Sequence, residues 1–414
     1  MRHYSLFILT LSLCSLAFLV TCFASEYEEQ ISVNLLEVWA KVTDGNGKVV
    51  SDLSPEEFEI LVDGKHSDLR CFEKMIISSP SWDQTSEEPE AVKKRYIFLF
   101  DMLTSSSGDM EFLKGEIARF INRTFDDKDE GMIFALVPTA KLGVVQHFTD
   151  NKEQLIDVIS RVRGNPRVGL DFYKNQQQLT ELLYTGTEIE SLNGLTAEQI
   201  KQARSMARSF ALDERRTARY TLGSFKSIAD YLASSRLDGR LVLIYVGGGF
   251  PLIPGESYYE MLNRAMEDTA LVGTEDYAYP DHPDFDFIQE IKKTIGVLNR
   301  MNVTIYTIDS RGLIETGKGV EYSSVEAAAG VRQAYHDKNF QDTIVMIARE
   351  TGGLAFTNSQ NYQLAANQIA TDINEQYFLC ASLPPAKKKG DYHKIEVKVS
   401  RPDLKVRHRK GYVD

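Results

Sequence analysis

Three runs rich in apolar residues limit what this chain can fold into: the continuous "YIFLF" from Tyr96, "RLVLIYV" from Arg240 to Val246, and "VTIYTID" from Val303 to Asp309. A strand with one face in water alternates apolar and polar residues. A continuous run belongs to a strand covered on both faces, as in a parallel sheet between helical layers. Helix-spaced segments separate the runs. After the first come Met110, Leu113, Ile117, Phe120 and Ile121, at the spacing of one buried helix face. "NKEQLIDVISRV" is a second helix, "IVMIARETGG" a third stopped by Gly352 and Gly353, and "YQLAANQIATDINEQY" a last one after the short strand "LAFTN". This alternation predicts a doubly wound α/β sheet, with "GMIFALVP" and "LGVVQHF" adding a hairpin pair.

Two stretches interrupt the pattern. Residues 195–220 contain no glycine or proline and predict one very long helix or two abutting ones. Gly255 to Phe287 is a long excursion in which Asp276, Asp281, His282, Asp284 and Asp286 cluster among aromatics. Calcium binding, a recognition loop and a solvated acidic loop are all open readings, and the spacing is not that of an EF-hand.

Both ends read as β. Near the start, "VNLLEVWAKV" alternates with a bulge expected at Leu35–Leu36, "DGNGKVV" supplies a turn, and Ser54, Pro55 and Glu57 open one helical turn before "FEILVDGK". At the other end stand "YFLCASL", "HKIEVKVS" and "LKVRHRKGY". Neither half is long enough to bury a core by itself, so the two are expected to complete each other. The expected organisation is a signal over 1–24, half a β unit over 26–75, a linker over 76–95, an α/β domain over 96–375 with a helical insertion at 164–235, and the second β half over 376–414.

Arg2, the apolar "LFILTLSLCSLAFLV" and the small residues of "TCFAS" read as a secretory signal cleaved after Ala24. Lipidation at Cys22 and an uncleaved anchor are the alternatives. The expectation is therefore an exported, periplasmic or secreted protein with no membrane span in the mature chain. A formal net charge of −12 over 414 residues argues against nucleic acid or an anionic membrane as the main partner. Cys14 and Cys22 leave with the signal. Cys71 and Cys380 remain, one in each β half, in an oxidising compartment. A disulfide between them is expected if the halves pair, and two buried thiols are the alternative.

The chain resembles a bacterial, acidobacterial-type family of von Willebrand factor type A-related proteins. The residues that carry the likeness are "VTDGNGKVVSDLSPEEFEILVDGK", "YIFLFDMLTSS", "GRLVLIYVGGGFP", "VTIYTIDSRGL", "RETGGLAF" and "HKIEVKVSRPDLKVRHRKGY". The resemblance implies a Rossmann-like von Willebrand factor type A domain inserted in a small β-sandwich-like unit formed by both chain ends.

Type A domains often hold a divalent cation through a first-strand motif, Asp-x-Ser-x-Ser, whose oxygens suit a hard ion. Here Asp101 is present, the first serine position is Leu103, and the second is Ser105. The family's threonine comes from a loop, whereas the region around Thr217 and Thr221 reads as helix. Its second aspartate is replaced by "GGGF" after Val246. Asp101, Ser105, Ser107, Asp109, Gly247, Gly248 and Asp309 are the ligand-binding candidates, with Asp101 and Ser105 the only credible metal ligands. No cofactor is expected beyond a weakly held cation such as Mg or Ca. The glycines of "VGGGFP" lack the Gly-Lys-Ser/Thr ending of a phosphate loop, and no hydrolase or metalloprotease motif is present. The reading is an exported, non-enzymatic binding or adhesion-type protein with a degenerate metal-ion-dependent adhesion site, acting on a protein or envelope-associated ligand. The alternatives are an exported metal-dependent hydrolase and a structural subunit of a cell-envelope complex.

Overall fold

The computed structural model describes residues 35–76, 92–165, 170–183, 195–235, 237–267, 287–313, 324–383 and 390–414. The leader and the acidic cluster at 276–286 lie outside these residues.

These three runs form the middle of a six-stranded sheet. Its strands are β5 (Lys94–Asp101), β6 (Glu130–Leu136), β7 (Leu142–Thr149), β8 (Arg240–Gly247), β9 (Thr304–Asp309) and β10 (Ala355–Phe356), in the order β10-β9-β8-β5-β6-β7. All neighbours are parallel except the β6–β7 hairpin. Every residue of β5, β8 and β9 is buried, because helices cover both faces. On one face lie α1 (Ser107–Thr124), α2 (Lys152–Arg161) and α8 (Tyr362–Asn374). On the other lie the second half of α4 (Ala197–Ser234), α6 (Phe287–Arg300) and α7 (Ser324–Glu350). β5 begins inside the expected linker. Lys94 and Arg95 extend it because each finds an acid: Lys94 Nζ donates to Asp126 at 3.0 Å and Arg95 Nε to Glu130 at 2.8 Å.

The gap-free stretch after residue 195 is one helix, α4, capped by Thr196, whose hydroxyl accepts from Gln199 N. Its two halves do different things. Ala203, Ala207 and Ala211 pack against α3 (Leu170–Leu183) and α5 (Glu256–Glu267) in a separate small core. Ala218, Leu222, Phe225, Ile228 and Leu232 cover the sheet. The segment expected as an insertion therefore includes a helix that the sheet needs.

The chain ends build two further four-stranded sheets. One runs β13-β1-β11-β4 and the other β14-β12-β2-β3, from β1 (Leu35–Thr43), β2 (Phe58–Val62), β3 (Lys65–Ser67), β4 (Leu69–Ile76), β11 (Glu375–Ser382), β12 (Tyr392–Val399), β13 (Lys405–Arg407) and β14 (Gly411–Val413). Their facing sides share one core containing Leu36, Val38, Ala40 and Val42 of β1, Ile60 of β2, Leu379 of β11 and Ile395 of β12. β1 is described from Leu35 onward, so the bulge expected at Leu35–Leu36 lies at the limit of the described residues. Trp39, on the opposite face, is buried for another reason: the Arg240 guanidinium lies 4.2 Å from its ring centroid. Cys71 and Cys380 are direct cross-strand partners in β4 and β11, disulfide-bonded with Cα atoms 4.8 Å apart.

Candidate functional site

The carboxyl ends of β5, β8 and β9 bring Asp101, Gly247 and Asp309 to one edge of the sheet, where ligands of open α/β sheets gather. Asp101 is fully buried, and its two oxygens are engaged from within the chain. Oδ1 accepts from Leu103 N at 3.0 Å. Oδ2 accepts from Thr221 Oγ1 and from Tyr245 Oη, each at 2.9 Å. Burial raises the Asp101 pKa above the ordinary carboxylate value, opposed by the hydroxyls of Thr221, Tyr245 and Thr104 and by the Leu103 amide. Burial beside this carboxylate also pushes the Tyr245 hydroxyl far above its ordinary pKa, so it remains a donor.

Gly247 follows from this arrangement. A Cβ there would lie 2.4 Å from the Tyr245 hydroxyl oxygen and 2.8 Å from the Asp101 Cβ. Tyrosine at 245 and a side chain at 247 are thus mutually exclusive. Gly248 is equally confined, since a Cβ would meet the Thr104 carbonyl oxygen at 2.5 Å. Its amide already donates to Thr104 Oγ1 at 3.0 Å, so it is not aimed at an external anion.

The remaining candidates divide. Ser105 is buried, and its Oγ accepts from Ser310 Oγ at 2.8 Å. Asp309 is buried and held by Arg311, whose Nε donates to Oδ1 at 3.0 Å and Nη2 to Oδ2 at 2.9 Å. Arg311 continues to Asp337 at 3.2 Å, and His336 lies between Asp337 (3.7 Å) and Glu214 (3.5 Å). Burial works against charge on His336, but hydrogen bonds with Asp337 and Glu214 outweigh it and raise its pKa. Ser107 and Asp109 belong instead to the start of α1. Ser107 Oγ donates to Gly164 O at 3.0 Å, while Ser106 is the N-cap, its hydroxyl accepting from Asp109 N at 3.2 Å.

A divalent cation is the group that the resemblance to type A domains implies at this edge. The donor set does not fit one: position 103 has no ligand atom, position 247 has no side chain, the Asp101 and Ser105 oxygens are internally paired, and the Asp309 carboxylate is held by Arg311. No group of three or more His, Cys, Asp or Glu among the described residues is placed to hold a metal ion.

Thr221 and Tyr245 were not singled out by sequence reasoning as partners of Asp101. A faint signal existed. Thr221 shares the apolar face of Ala218, Leu222 and Phe225, where a hydroxyl needs a partner. Tyr245 sits opposite Leu99 in the β5–β8 register, on the side of the sheet to which Asp101 belongs.

Renumbered from β5, the sheet order is 3-2-1-4-5-6 with only the third strand reversed. The α/β domain has the doubly wound, Rossmann-like architecture that the resemblance to type A domains implies. No protein-family model matches the sequence, and no curated protein matches it either. Solved structures do. An aerotolerance-related membrane protein from Bacteroides fragilis is 11% identical, with a TM-score of 0.31, over 68% of this chain and 98% of that one. The vWF domain of the type V pili tip protein Mfa5 from Porphyromonas gingivalis is 11% identical, with a TM-score of 0.31, over 68% and 95%. Proximal thread matrix protein 1 from the mussel byssus, solved with a zinc-occupied MIDAS motif, is 12% identical, with a TM-score of 0.30, over 72% and 49%.

Proposed function

We propose that this chain is an exported, non-enzymatic protein-binding module of the acidobacterial-type type A-related family, whose metal-ion-dependent adhesion site is degenerate and works without a cation. The observation that carries this reading is the internal pairing of Asp101 with Thr221 and Tyr245. Hydroxyl donors occupy the carboxylate oxygen that a cation would otherwise take, so the rim of the sheet is the contact surface in this reading. Phe112 on α1, Leu313 after β9 and Leu364 on α8 support that role. They are 72%, 57% and 50% exposed, on elements that open at the carboxyl end of the sheet. Large apolar side chains held in water there suit a protein partner. The Cys71–Cys380 bond supports an oxidising compartment, periplasmic or extracellular. No helix among the described residues is long and apolar enough to cross a membrane.

Elemental analysis followed by calcium, magnesium and manganese titration tests the reading. The expected result is no stoichiometric metal and no change in melting temperature with cation or chelator, because a ligand that binds only the native state raises apparent stability. A rise of several degrees with any of the three ions overturns it.

A further inference from the structure

An edge strand shows a row of unpaired backbone N–H and C=O groups, so the sheet edges are where this molecule is open to a partner strand. The three sheets have six edges. β10 is two residues long, and β3, β13 and β14 are three each. β4 has eight residues but carries Arg70, Glu73 and Lys74 in water. Short length and charge are common protections of an edge. β7 has neither: its eight residues, LGVVQHFT, include no Lys, Arg, Asp, Glu or Pro.

β7 is also uncovered. Leu142 and Phe148 anchor it to the sheet core, while Gly143, Val144, Val145 and His147 are exposed. Val144 and Val145, 39% and 46% exposed, are the one adjacent pair among the exposed large apolar side chains of the described residues. Beyond the ladder to β6, the β7 backbone makes one hydrogen bond among the described residues: His147 O accepts from Gln146 Nε2 at 3.0 Å, within the strand itself. The register with β6 shifts on both sides of Ile133, which bends β7 after Val144 and raises its twist without covering it. Two charges flank the strand. Lys141 before it and Asp150 after it are exposed, and neither forms an ion pair with a described residue.

We propose that β7 is the docking edge for a second copy of this chain, the two β7 strands pairing antiparallel about a two-fold axis. The unpaired backbone row selects an extended polypeptide over other classes of ligand. The bend and twist select an identical strand, which brings the same shape to the joint. The flanking charges select the direction. Antiparallel pairing lays the start of each strand beside the end of the other, so Lys141 of one copy meets Asp150 of the second copy at both ends of the joint. The net charge of −12 on each copy opposes association at long range. Salt at physiological strength screens that repulsion beyond about 8 Å and leaves the local match to decide. This lateral edge is separate from the sheet rim proposed above, and each idea can fail alone.

Sedimentation equilibrium of the disulfide-intact full chain, from about 1 μM to about 1 mM, tests the pairing. A concentration-dependent equilibrium between monomer and dimer is expected. Val145→Lys should weaken the dimer about tenfold or more and leave the melting temperature level, since position 145 already lies in water. Lys141→Glu and Asp150→Lys should each weaken it, because each sets like charges beside one another. The double swap Lys141→Glu/Asp150→Lys should restore it toward the original strength. Amide hydrogen exchange reads the backbone directly: protection of β7 should rise with protein concentration while that of β4 stays constant. A monomer throughout the range, a dimer indifferent to Val145→Lys, a double swap no stronger than the single changes, or protection that rises in β4 and not in β7 each overturns the proposal.

Discussion

Tyr245 donates its hydroxyl to the Asp101 carboxylate at 2.9 Å, across adjacent parallel strands and entirely out of contact with water. This bond explains two neighbours at once. It gives a buried acid a donor, and it fills the space above Gly247 that any side chain would need.

Tyr245→Phe tests the first half of that statement. The ring stays and the donor goes, leaving a buried oxygen with fewer partners. The expected loss is about 1–3 kcal/mol in urea unfolding, with little change in the denaturant slope. An unchanged midpoint would mean that Thr221 and the Leu103 amide suffice.

Gly247→Asp tests the second half. This change restores the acidic residue that the fold's metal sites carry after this strand, yet its Cβ collides with Tyr245 and Asp101. Destabilisation of about 1–3 kcal/mol or more is expected, as for overpacking generally, with no gain in calcium, magnesium or manganese binding. Isothermal titration of the variant that showed a new cation site would contradict the geometry.

How much of this was readable beforehand depends on range. The first two buried strands announced themselves because "YIFLF" and "LVLIYV" are five and six consecutive apolar residues, which have few other uses. The ends were recognisable as β halves from Ile395, Val397 and Val399 on one side of a strand. Thr221 and Tyr245 were not recognisable as partners of Asp101, since they lie 120 and 144 residues away and their pairing is set by strand order and helix placement. Ser107 and Asp109 looked like ligands because a helix start and a metal motif use the same residue types.

The disulfide yields a third prediction. Cys71 and Cys380 are separated by 309 residues, so the bond restricts a very large loop in the unfolded chain. The chain-entropy model assigns roughly 6 kcal/mol to such a loop, and strain in the native state lowers the realised value. Reduction should lower the unfolding midpoint substantially, and peptide mapping of the unreduced protein should recover one linked pair. Two thiols free to alkylate after denaturation would refute the bond.

His408 supplies a fourth, in pH. Its Nε2 accepts from Val397 N at 3.2 Å, while Nδ1 faces Arg409 O at 2.6 Å, so the buried ring is held neutral. Burial, with Lys410 and Arg409 nearby, lowers its pKa from 6.5 to about 4. The unfolded chain therefore binds more protons between those values. This contribution to stability is complete above about pH 6.5 and is lost as pH falls toward about 4. The shift corresponds to something on the order of 3 kcal/mol. Urea midpoints at stepped pH should show the decline, and His408→Gln should flatten it. An equal decline in that variant would place the acid sensitivity elsewhere.

The weave of the two chain ends has a kinetic consequence. In its sheet, β1 lies between β13 and β11, both from the far end of the sequence. Even the Leu53 amide after it waits for the Tyr377 hydroxyl, 324 residues downstream. The inserted α/β domain contains mostly nearer contacts and can organise first, whereas β1 must stay unpaired until the last strands arrive. Loop closure of that length is slow, and an unpaired apolar strand is a target for aggregation in the interval. The topology therefore predicts that the sandwich assembles last, with the yield of native protein depending on how well β1 is shielded until then.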